Sequence, residues 1–278
     1  MAKRAITWKQ HTNQTIRRLT GYELVRASAW TAPDRSAAPR TDRRLTAPVF
    51  VMCSVRSGST LLRVVLNSHS QIYAPHELHL KDLRVELSNA YVQGAMDELG
   101  VTQSELEHML WDRLLDEALV RSGKQILVNK TPDDVFIWRR IVRNWPDARF
   151  IFLLRHPAAI TRSWHSARPW DLDEATDSAL HYMEAVDEVR RTLPGITVRY
   201  EELTSEPEET TRRLCEFLDV EWESQMLDYG DQEHGSFKAG LGDWTSKIRS
   251  GRIQQSKPVP TDIPPRLKEI CEAWGYRQ

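Results

Sequence analysis

Short apolar runs alternate along the chain with longer segments whose apolar residues recur every three or four positions. The runs predict buried β-strands, and the longer segments predict helices with one apolar face. The predicted strands cover residues 48–53, 71–74, 125–128, 149–154 and 196–200. The predicted helices cover residues 59–66, 81–121, 133–145, 173–193, 207–218 and 265–274, and another begins at Pro157. Strands that alternate with helices predict an α/β protein, a three-layer fold with a central parallel sheet flanked by helices.

Two segments interrupt this alternation. Residues 31–46 are rich in Pro, Ala, Ser and Arg and predict a linker. We therefore assign residues 1–46 to an N-terminal extension and residues 47–278 to a single domain. Residues 223–265 show little periodicity and many Gly, Ser and Pro residues, which predicts an irregular C-terminal loop region of the kind that often forms a lid or a binding segment.

The charge of the chain is unevenly distributed. Ten Lys and Arg residues against three acids give the first 44 residues a net charge of +7, whereas the whole chain carries −1. A mobile or partly helical arm and a basic patch for an acidic partner are both compatible with this stretch. The overall balance of 38 basic and 39 acidic residues excludes a protein that binds polyanions through net charge, so we expect no nucleic-acid partner.

The composition is that of an ordinary globular protein, with 278 residues, 40% of them hydrophobic and 28% charged. Its three cysteines are far apart and show no CxxC or Cys/His spacing, so neither a disulfide framework nor a zinc site is predicted. No segment has the apolar core of a signal peptide or the length of a membrane span. We therefore expect a cytoplasmic protein, and the oligomeric state stays open.

The stretch that follows the first predicted strand has the features of an anion-binding loop. Residues 54–60 (SVRSGST) lead directly into a predicted helix, whose first backbone N–H groups and dipole favour a bound phosphate or sulfate. Gly58 and Thr60 match the end of the nucleotide-triphosphate loop GxxxxGK[ST], but Ser59 replaces its lysine. Arg56 supplies a cation instead, and because no Asp/Glu pair for metal binding is apparent, no metal is expected. A structural turn with an incidental arginine is the alternative.

A second cation follows another predicted strand. Arg155 comes directly after the run 149–154, and Ser163 lies two turns into the next predicted helix. An arginine at the carboxyl end of a central strand faces the crevice where α/β sheets bind ligands, and its guanidinium matches a phosphate. A pair with a surface carboxylate is the alternative. Two anion sites on neighbouring strand ends predict a nucleotide with two separated anionic groups.

Three segments together resemble the sulfotransferases that use 3′-phosphoadenosine 5′-phosphosulfate (PAPS). They are PVFVMCSVRSGSTLLRVVLNSH, FIFLLRHPAAITRSWHS and VRYEELTSEPEETTRRLCEFLDV. The resemblance spans roughly residues 47–253 and is closest in motif style to tyrosylprotein-type and bacterial natural-product sulfotransferases. It implies a P-loop-like fold.

The resemblance also implies which residues bind the sulfuryl donor PAPS and its product PAP. Those that would hold the 5′-phosphosulfate are Arg56, Ser57, Gly58, Ser59 and Thr60. Arg155 and Ser163 would hold the 3′-phosphate, and Tyr200 would lie near the adenine or the 3′-phosphate. Lys247 and Arg252 belong to a stretch that resembles the loop with which the family closes over the 3′-phosphate.

Transfer of a sulfuryl group to a hydroxyl needs a positioned base and cations near the leaving phosphate. Residues 74–80 (APHELHL) contain three proton-transfer groups, His76, Glu77 and His79. The resemblance favours Glu77 as the base without excluding the histidines. Lys130, at the end of the next predicted strand, would face the same crevice and lie against the transferring group, together with Arg56. A structural salt bridge for Glu77 and a surface-loop position for Lys130 are the alternatives.

The sequence therefore predicts a PAPS-dependent sulfotransferase of secondary metabolism that acts on a hydroxyl of a small-molecule or carrier-bound metabolite. A P-loop nucleotide kinase or NTPase and a non-catalytic nucleotide-binding protein of the same fold are the alternatives. The missing loop lysine counts against the first of these. The presence of Glu77 and Lys130 beside both anion motifs counts against the second.

Overall fold

A computed structural model of the protein describes residues 43–234, 248, 250–259 and 263–276. Nearly all of the predicted N-terminal extension and Lys247 lie outside these residues, and the predicted domain boundary stays a prediction. The strands of the described part are β1 (Val49–Cys53), β2 (Ile72–Tyr73), β3 (Ile126–Asn129), β4 (Arg149–Leu154) and β5 (Ile196–Arg199). They form one parallel sheet in the order β2-β3-β1-β4-β5. This arrangement confirms the predicted α/β fold with a central parallel sheet.

Helices connect successive strands and cover the sheet. Those in the described part of the chain are α1 (Ser59–Asn67), α2 (Ala90–Leu99), α3 (Gln103–Ser122), α4 (Trp138–Asn144), α5 (Pro157–Ala167), α6 (Leu172–Thr192), α7 (Tyr200–Ser205), α8 (Pro207–Leu218) and α9 (Lys268–Ala273). Short 3-10 turns occur at Leu80–Asp82, Pro132–Phe136, Ser224–Met226, Tyr229–Asp231 and Pro265–Leu267.

The long helical prediction over residues 81–121 is only partly right, because the segment contains two helices. Asn89 caps α2 by accepting from two backbone N–H groups, and Gly100 ends that helix in the left-handed conformation. Thr102 and Glu105 then form a capping box that starts α3. Apolar spacing continues across the break, so the periodicity did not reveal it, whereas the capping residues would have.

Most of the other predicted ends differ from the structure by one to three residues, and two of the differences bear on the site. The predicted helix 133–145 consists of the 3-10 turn Pro132–Phe136 followed by α4, because the N–H of Asp134 donates to the carbonyl of Thr131 (3.0 Å) in a tighter turn. The predicted strand 196–200 ends one residue early, and Tyr200 begins α7. The second change places Tyr200 at the start of a helix beside the predicted anion-binding loop, residues 54–60.

The central strand β1 is buried on both faces, as a strand in the middle of a parallel sheet should be. Val49, Val51 and Cys53 belong to an apolar cluster with α1 and α8. The aromatic ring of Phe50 lies on the other face, with its centroid 5.5 Å from that of Trp145. The two layers of helices therefore bury opposite side chains of the same strand.

All five strands run in one direction, so their carboxyl ends lie along one edge of the sheet. Each strand is followed there by a residue predicted to act in the site. In the order of the strands from β1 to β5, these residues are Arg56, Glu77, Lys130, Arg155 and Tyr200. The topology thus selects this edge as the candidate site.

Within the described part of the chain, no helix has the length and apolar character needed to cross a membrane. The described residues also contain no cluster of three or more His, Cys, Asp or Glu side chains suited to a metal ion. Cys53, Cys215 and Cys271 are buried free thiols.

We predict that Asp112→Ala destabilises the fold by about 2 kcal/mol, because Asp112 is buried and satisfies three donors that would lose their acceptor. Its carboxylate accepts from the backbone N–H groups of Arg44 (3.0 Å) and Leu45 (3.4 Å) and from the indole N–H of Trp145 (2.9 Å). Urea unfolding measures the loss. Asp116→Ala is the control, since Asp116 pairs with exposed arginines and should contribute roughly 0–1 kcal/mol. Equal losses for the two variants would contradict the prediction.

Candidate active site

The loop between β1 and α1 has a backbone that differs from an ordinary turn. Arg56 has φ 69° and Gly58 has φ 91°, both in the left-handed region. The N–H of Leu61 donates to the carbonyl of Gly58 (3.0 Å), which starts α1. The backbone N–H groups in the first turn of a helix have no acceptor within that helix. A bound anion at this point would accept from them and interact favourably with the helix dipole.

Glycine is required at position 58 for a second reason, which is the ring of Tyr200. A Cβ placed on Gly58 would lie 2.2 Å from Cδ2 of Tyr200, far closer than any side-chain contact allows. Tyr200 therefore packs directly on the backbone of the loop. The first residue after β5 and the loop after β1 form one continuous surface.

The two predicted anion sites are joined by hydrogen bonds. Arg155 donates from Nη1 to the carbonyl of Arg56 (2.9 Å), and Arg56 donates from Nε to Oγ of Ser163 (3.0 Å). The guanidinium of Arg155 also lies over the ring of Tyr200, 4.5 Å from its centroid. The structure therefore brings together four residues that the sequence placed in three separate segments.

The electrostatics of this cluster favour a bound anion. Burial lowers the pKa of the Arg56 guanidinium, and the positive charges of Arg155 and Arg168 lower it further. Among the described residues, no carboxylate lies within ion-pair distance of Arg56 or Arg155, so the alternative of a surface ion pair for Arg155 is not what the described structure shows. Two neighbouring cations without a carboxylate are stabilised when an anion binds between them.

Glu77 and Lys130 form an ion pair at the ends of β2 and β3, in which Nζ of Lys130 donates to Oε1 of Glu77. The Lys130 side chain is fully buried, whereas the Glu77 side chain is 12% exposed and lines a cavity that is described below. We expected Lys130 itself to face the crevice, but it lies behind Glu77. A buried ammonium needs such a partner, because an unpaired charge in the protein interior is strongly destabilising.

The segment that carries Glu77 is held by its neighbours. The N–H groups of Leu78 and His79 donate to Oγ1 of Thr131 (3.2 and 3.4 Å). Nε2 of His79 lies 3.7 Å from Oε2 of Glu77. Of the three candidate bases, Glu77 is the one among the cavity-lining residues, and His76 and His79 are not. The structure thus favours Glu77 by position.

A cavity of about 330 Å³ lies at this edge of the sheet. The predicted site residues that line it are Arg56, Gly58, Ser59, Thr60, Glu77, Arg155, Ser163, Tyr200 and Arg252. Ser57 is fully buried behind the loop and is not among the lining residues. One cavity therefore contains both anion motifs and the candidate base.

Arg252 is brought to the cavity by two glycines. Gly230 and Gly251 are in backbone contact, since a Cβ on Gly230 would lie 2.5 Å from Cα of Gly251. The N–H of Gly230 donates to the carbonyl of Gly251 (2.9 Å), and the hydroxyl of Tyr229 donates to the carbonyl of Arg252 (3.1 Å). Residues 250–252 are thereby anchored to the 3-10 turn Tyr229–Asp231.

Several lining residues were not foreseen from the sequence. They are Arg162, Tyr229, Gln254, Gln255 and Lys257. Arg162 lies one position before Ser163 on α5, and spacing alone does not tell which of the two faces the sheet edge. The others belong to an irregular stretch in which no periodicity relates sequence to position.

A sequence profile of the Sulfotransferase family matches residues 48–224, which include all five strands. The protein belongs to the sulfotransferase family. The predicted family and enzyme class are confirmed. This sulfotransferase is 27% identical over 251 residues to protein-tyrosine sulfotransferase 1 of Danio rerio, a match covering 80% of this chain and 68% of that protein. It is 28% identical over 230 residues to the human protein-tyrosine sulfotransferase 1, covering 76% of this chain and 60% of that protein.

Solved structures show the same fold. The sulfotransferase domain from the curacin biosynthetic pathway has a TM-score of 0.63 and 19% identity, covering 84% of this chain and 99% of that domain. The sulfotransferase domain of the Synechococcus PCC 7002 olefin synthase has a TM-score of 0.57 and 23% identity, covering 90% of this chain and all (100%) of that domain. The predicted P-loop-like three-layer architecture is thereby confirmed.

We predict that Gly58→Ala weakens the binding of adenosine 3′,5′-bisphosphate about tenfold or more, because the added methyl group displaces Tyr200 and strains the loop. Isothermal calorimetry measures the affinity. Gly123→Ala is a matched control, since Gly123 also has a positive φ (68°) but nothing lies within 4 Å of its added Cβ. Gly123→Ala should lower stability by about 1 kcal/mol and leave the affinity unchanged. Equal affinities for wild type and Gly58→Ala would contradict the role given to the loop.

Proposed function

We propose that this sulfotransferase transfers a sulfuryl group from PAPS to a hydroxyl of a small-molecule or carrier-bound metabolite. The observation that carries the proposal is the cavity at the carboxyl edge of the sheet. It combines Arg56 and Arg155, which have no carboxylate within ion-pair distance in the described part of the chain, with a carboxylate at Glu77 whose partner Lys130 is buried behind it. Anion binding and proton acceptance are therefore available in one place.

The residues present fit a nucleotide with two anionic groups. Arg56 and the start of α1, residues 58–60, would hold the 5′-phosphosulfate, whereas Arg155 and Ser163 would hold the 3′-phosphate. The Tyr200 ring offers an apolar surface beside both sites. The cavity volume of about 330 Å³ lies in the range of small-molecule sites. Arg252 would add a cation from the C-terminal segment, and the same role for Lys247 stays a prediction from the sequence.

The reaction breaks the bond between sulfur and the phosphate oxygen and forms one between sulfur and the acceptor oxygen. PAPS supplies the activated sulfuryl group. Glu77 accepts the acceptor's hydroxyl proton on a carboxylate oxygen, since its ion pair with Lys130 requires the ionised form that can take up a proton. Arg56, which lines the cavity, would place positive charge where negative charge grows on the leaving phosphate. Lys130 would add its charge to the transferring group from behind Glu77. His76 remains the second candidate for the base.

The acceptor class rests on similarity and on the sequence. The two solved domains with the same fold are named for curacin biosynthesis and for an olefin synthase, whereas the curated relatives are named for tyrosine in proteins. We favour a metabolite or carrier-bound acceptor in a secondary-metabolic role. We also propose a cytoplasmic location, without a nucleic-acid partner and without a requirement for a metal.

We predict that adenosine 3′,5′-bisphosphate binds without a metal ion and that Arg155→Ala weakens this binding roughly tenfold to a hundredfold, the loss expected for charge-assisted hydrogen bonds. Calorimetry with and without EDTA measures it. Arg149→Ala is the control, because Arg149 lies at the opposite end of β4 and pairs with the exposed Asp219. Magnesium-dependent binding of ATP in place of the bisphosphate would instead support a kinase or NTPase.

We predict that Glu77→Gln lowers turnover by about 10²- to 10⁴-fold while the bisphosphate still binds, since the amide cannot accept the proton. Turnover is followed as bisphosphate release with radiolabelled PAPS and a panel of hydroxyacyl thioesters, phenols and tyrosine peptides. Glu77→Gln also leaves Lys130 without its partner. The double variant Glu77→Gln, Lys130→Met lacks that unpaired charge and is compared for urea stability and bisphosphate binding only, so that misfolding is recognised separately from lost turnover.

The histidines provide the matching controls for this prediction. His76→Ala and His79→Ala should retain most of the turnover of the wild type if Glu77 is the base. A loss with His76→Ala as large as with Glu77→Gln would move the role to His76. No bisphosphate release with any acceptor, together with no nucleotide binding, would overturn the proposed function.

A further inference from the structure

A buried polar pair lies directly beside Lys130. Asn129 is the last residue of β3, and Asp134 belongs to the 3-10 turn that follows it. Both side chains are fully buried. Nδ2 of Asn129 donates to Oδ2 of Asp134 (2.7 Å), so the two ends of the loop that contains Lys130 are tied together.

The remaining oxygen of each side chain has no hydrogen-bond partner among the described residues. These atoms are Oδ1 of Asn129 and Oδ1 of Asp134, and both are buried. An ionised Asp134 has only acceptors to offer, so both oxygens would stay unsatisfied, which is strongly unfavourable for a buried charged group. A protonated Asp134 would have one O–H donor to offer to the amide oxygen. The amide and the acid would then satisfy each other through two hydrogen bonds, one of which is the bond from Nδ2 to Oδ2.

We propose that Asp134 is a neutral carboxylic acid that donates from Oδ1 to the amide oxygen of Asn129, and that this pair positions Lys130 for Glu77. The electrostatics are consistent with the hydrogen-bond count. Burial raises the pKa of Asp134 well above its usual value, and the charges of Asp133 and Glu77 raise it further. The hydrogen bond from Asn129 and the charge of Lys130 lower the pKa, but burial is the largest influence and the net shift is upward.

The neutral state has a consequence for the candidate active site. An ionised Asp134 would add a second buried negative charge close to Lys130 and Glu77. Glu77 is the carboxylate within ion-pair distance of Lys130 among the described residues. A neutral Asp134 adds no competing negative charge to that pair. The same loop carries Thr131, which accepts from the backbone of the segment after Glu77. This functional part rests on the proposed roles of Glu77 and Lys130, whereas the protonation state does not.

The protonation state is tested by infrared spectroscopy and by stability. Near pH 8, the wild type should show the carbonyl stretch of a protonated carboxylic acid, and Asp134→Asn should lack it. In the unfolded chain an aspartate loses its proton near pH 4. Because the pKa in the folded state is raised, the stability contributed by this proton is present below about pH 4 and is lost as the pH rises towards the raised value. The stability of Asp134→Asn relative to wild type should therefore increase with pH.

Asp133→Asn is the matched neighbour, since Asp133 is half-buried and contacts Lys81 and Tyr182. It should retain the infrared band and should lack this rise in relative stability with pH. Absence of the band in wild type, or an Asp134→Asn variant that becomes relatively less stable as the pH rises, would show that Asp134 is ionised and would overturn the proposal. Neither measurement depends on sulfuryl transfer, so a failure here is distinct from a failure of the proposed function.

The positioning role is tested by exchanging the partners. Asn129→Asp places two carboxyl groups opposite each other and should lower turnover and change its pH profile. The double variant Asn129→Asp, Asp134→Asn restores an acid opposite an amide and should recover both the turnover and the pH profile of the wild type. Asp134→Ala should lower turnover, and Asp134→Asn should rescue it, because two amides also form a doubly hydrogen-bonded pair. No recovery in the double variant, although it folds, would overturn the positioning role.

Discussion

The parallel direction of the five strands is the constraint on which the candidate site depends. Because every strand ends at the same edge, short connections after each strand place Arg56, Glu77, Lys130, Arg155 and Tyr200 together, although they span more than half of the chain. An antiparallel sheet of the same strands would distribute these residues over two edges. The site is thus a property of the topology, which the helices maintain by covering both faces of β1.

Charge compensation then divides the site into two parts. Arg56 and Arg155 are linked through the backbone and have no carboxylate within ion-pair distance in the described structure, which suits them to a ligand's negative charge. Lys130 is buried and already compensated by Glu77. The first part is preorganised to bind an anion, whereas the second keeps a carboxylate at the cavity wall. The neutral pair of Asn129 and Asp134 would add no charge beside the ion pair of Lys130 and Glu77.

The strengths and failures of prediction from sequence follow from the range of the interactions involved. Strand β4 and helix α8 were predicted to the residue because their apolar patterns are local and their ends are marked by a charged or proline residue. The break between α2 and α3 was missed because apolar spacing persists across Gly100. The 3-10 turn Pro132–Phe136 was missed because its tighter backbone hydrogen bonds leave no signal in the spacing of apolar residues. Lys130 was placed on the correct strand end, but the sequence did not reveal that its side chain is fully buried and paired with Glu77.

The sequence by itself determined the class of fold and the two candidate anion motifs, since strand–loop–helix patterns and the types of residue at strand ends are local features of the chain. The sulfotransferase family was indicated by the resemblance of three segments, not by these patterns. Only the tertiary structure decided that Arg155 bonds to the phosphate loop, that Tyr200 excludes any side chain at Gly58 and that Lys130 lies buried behind Glu77. These contacts join residues about 50 to 140 positions apart. Burial and pairing at such separations depend on how the layers pack, which no local pattern encodes.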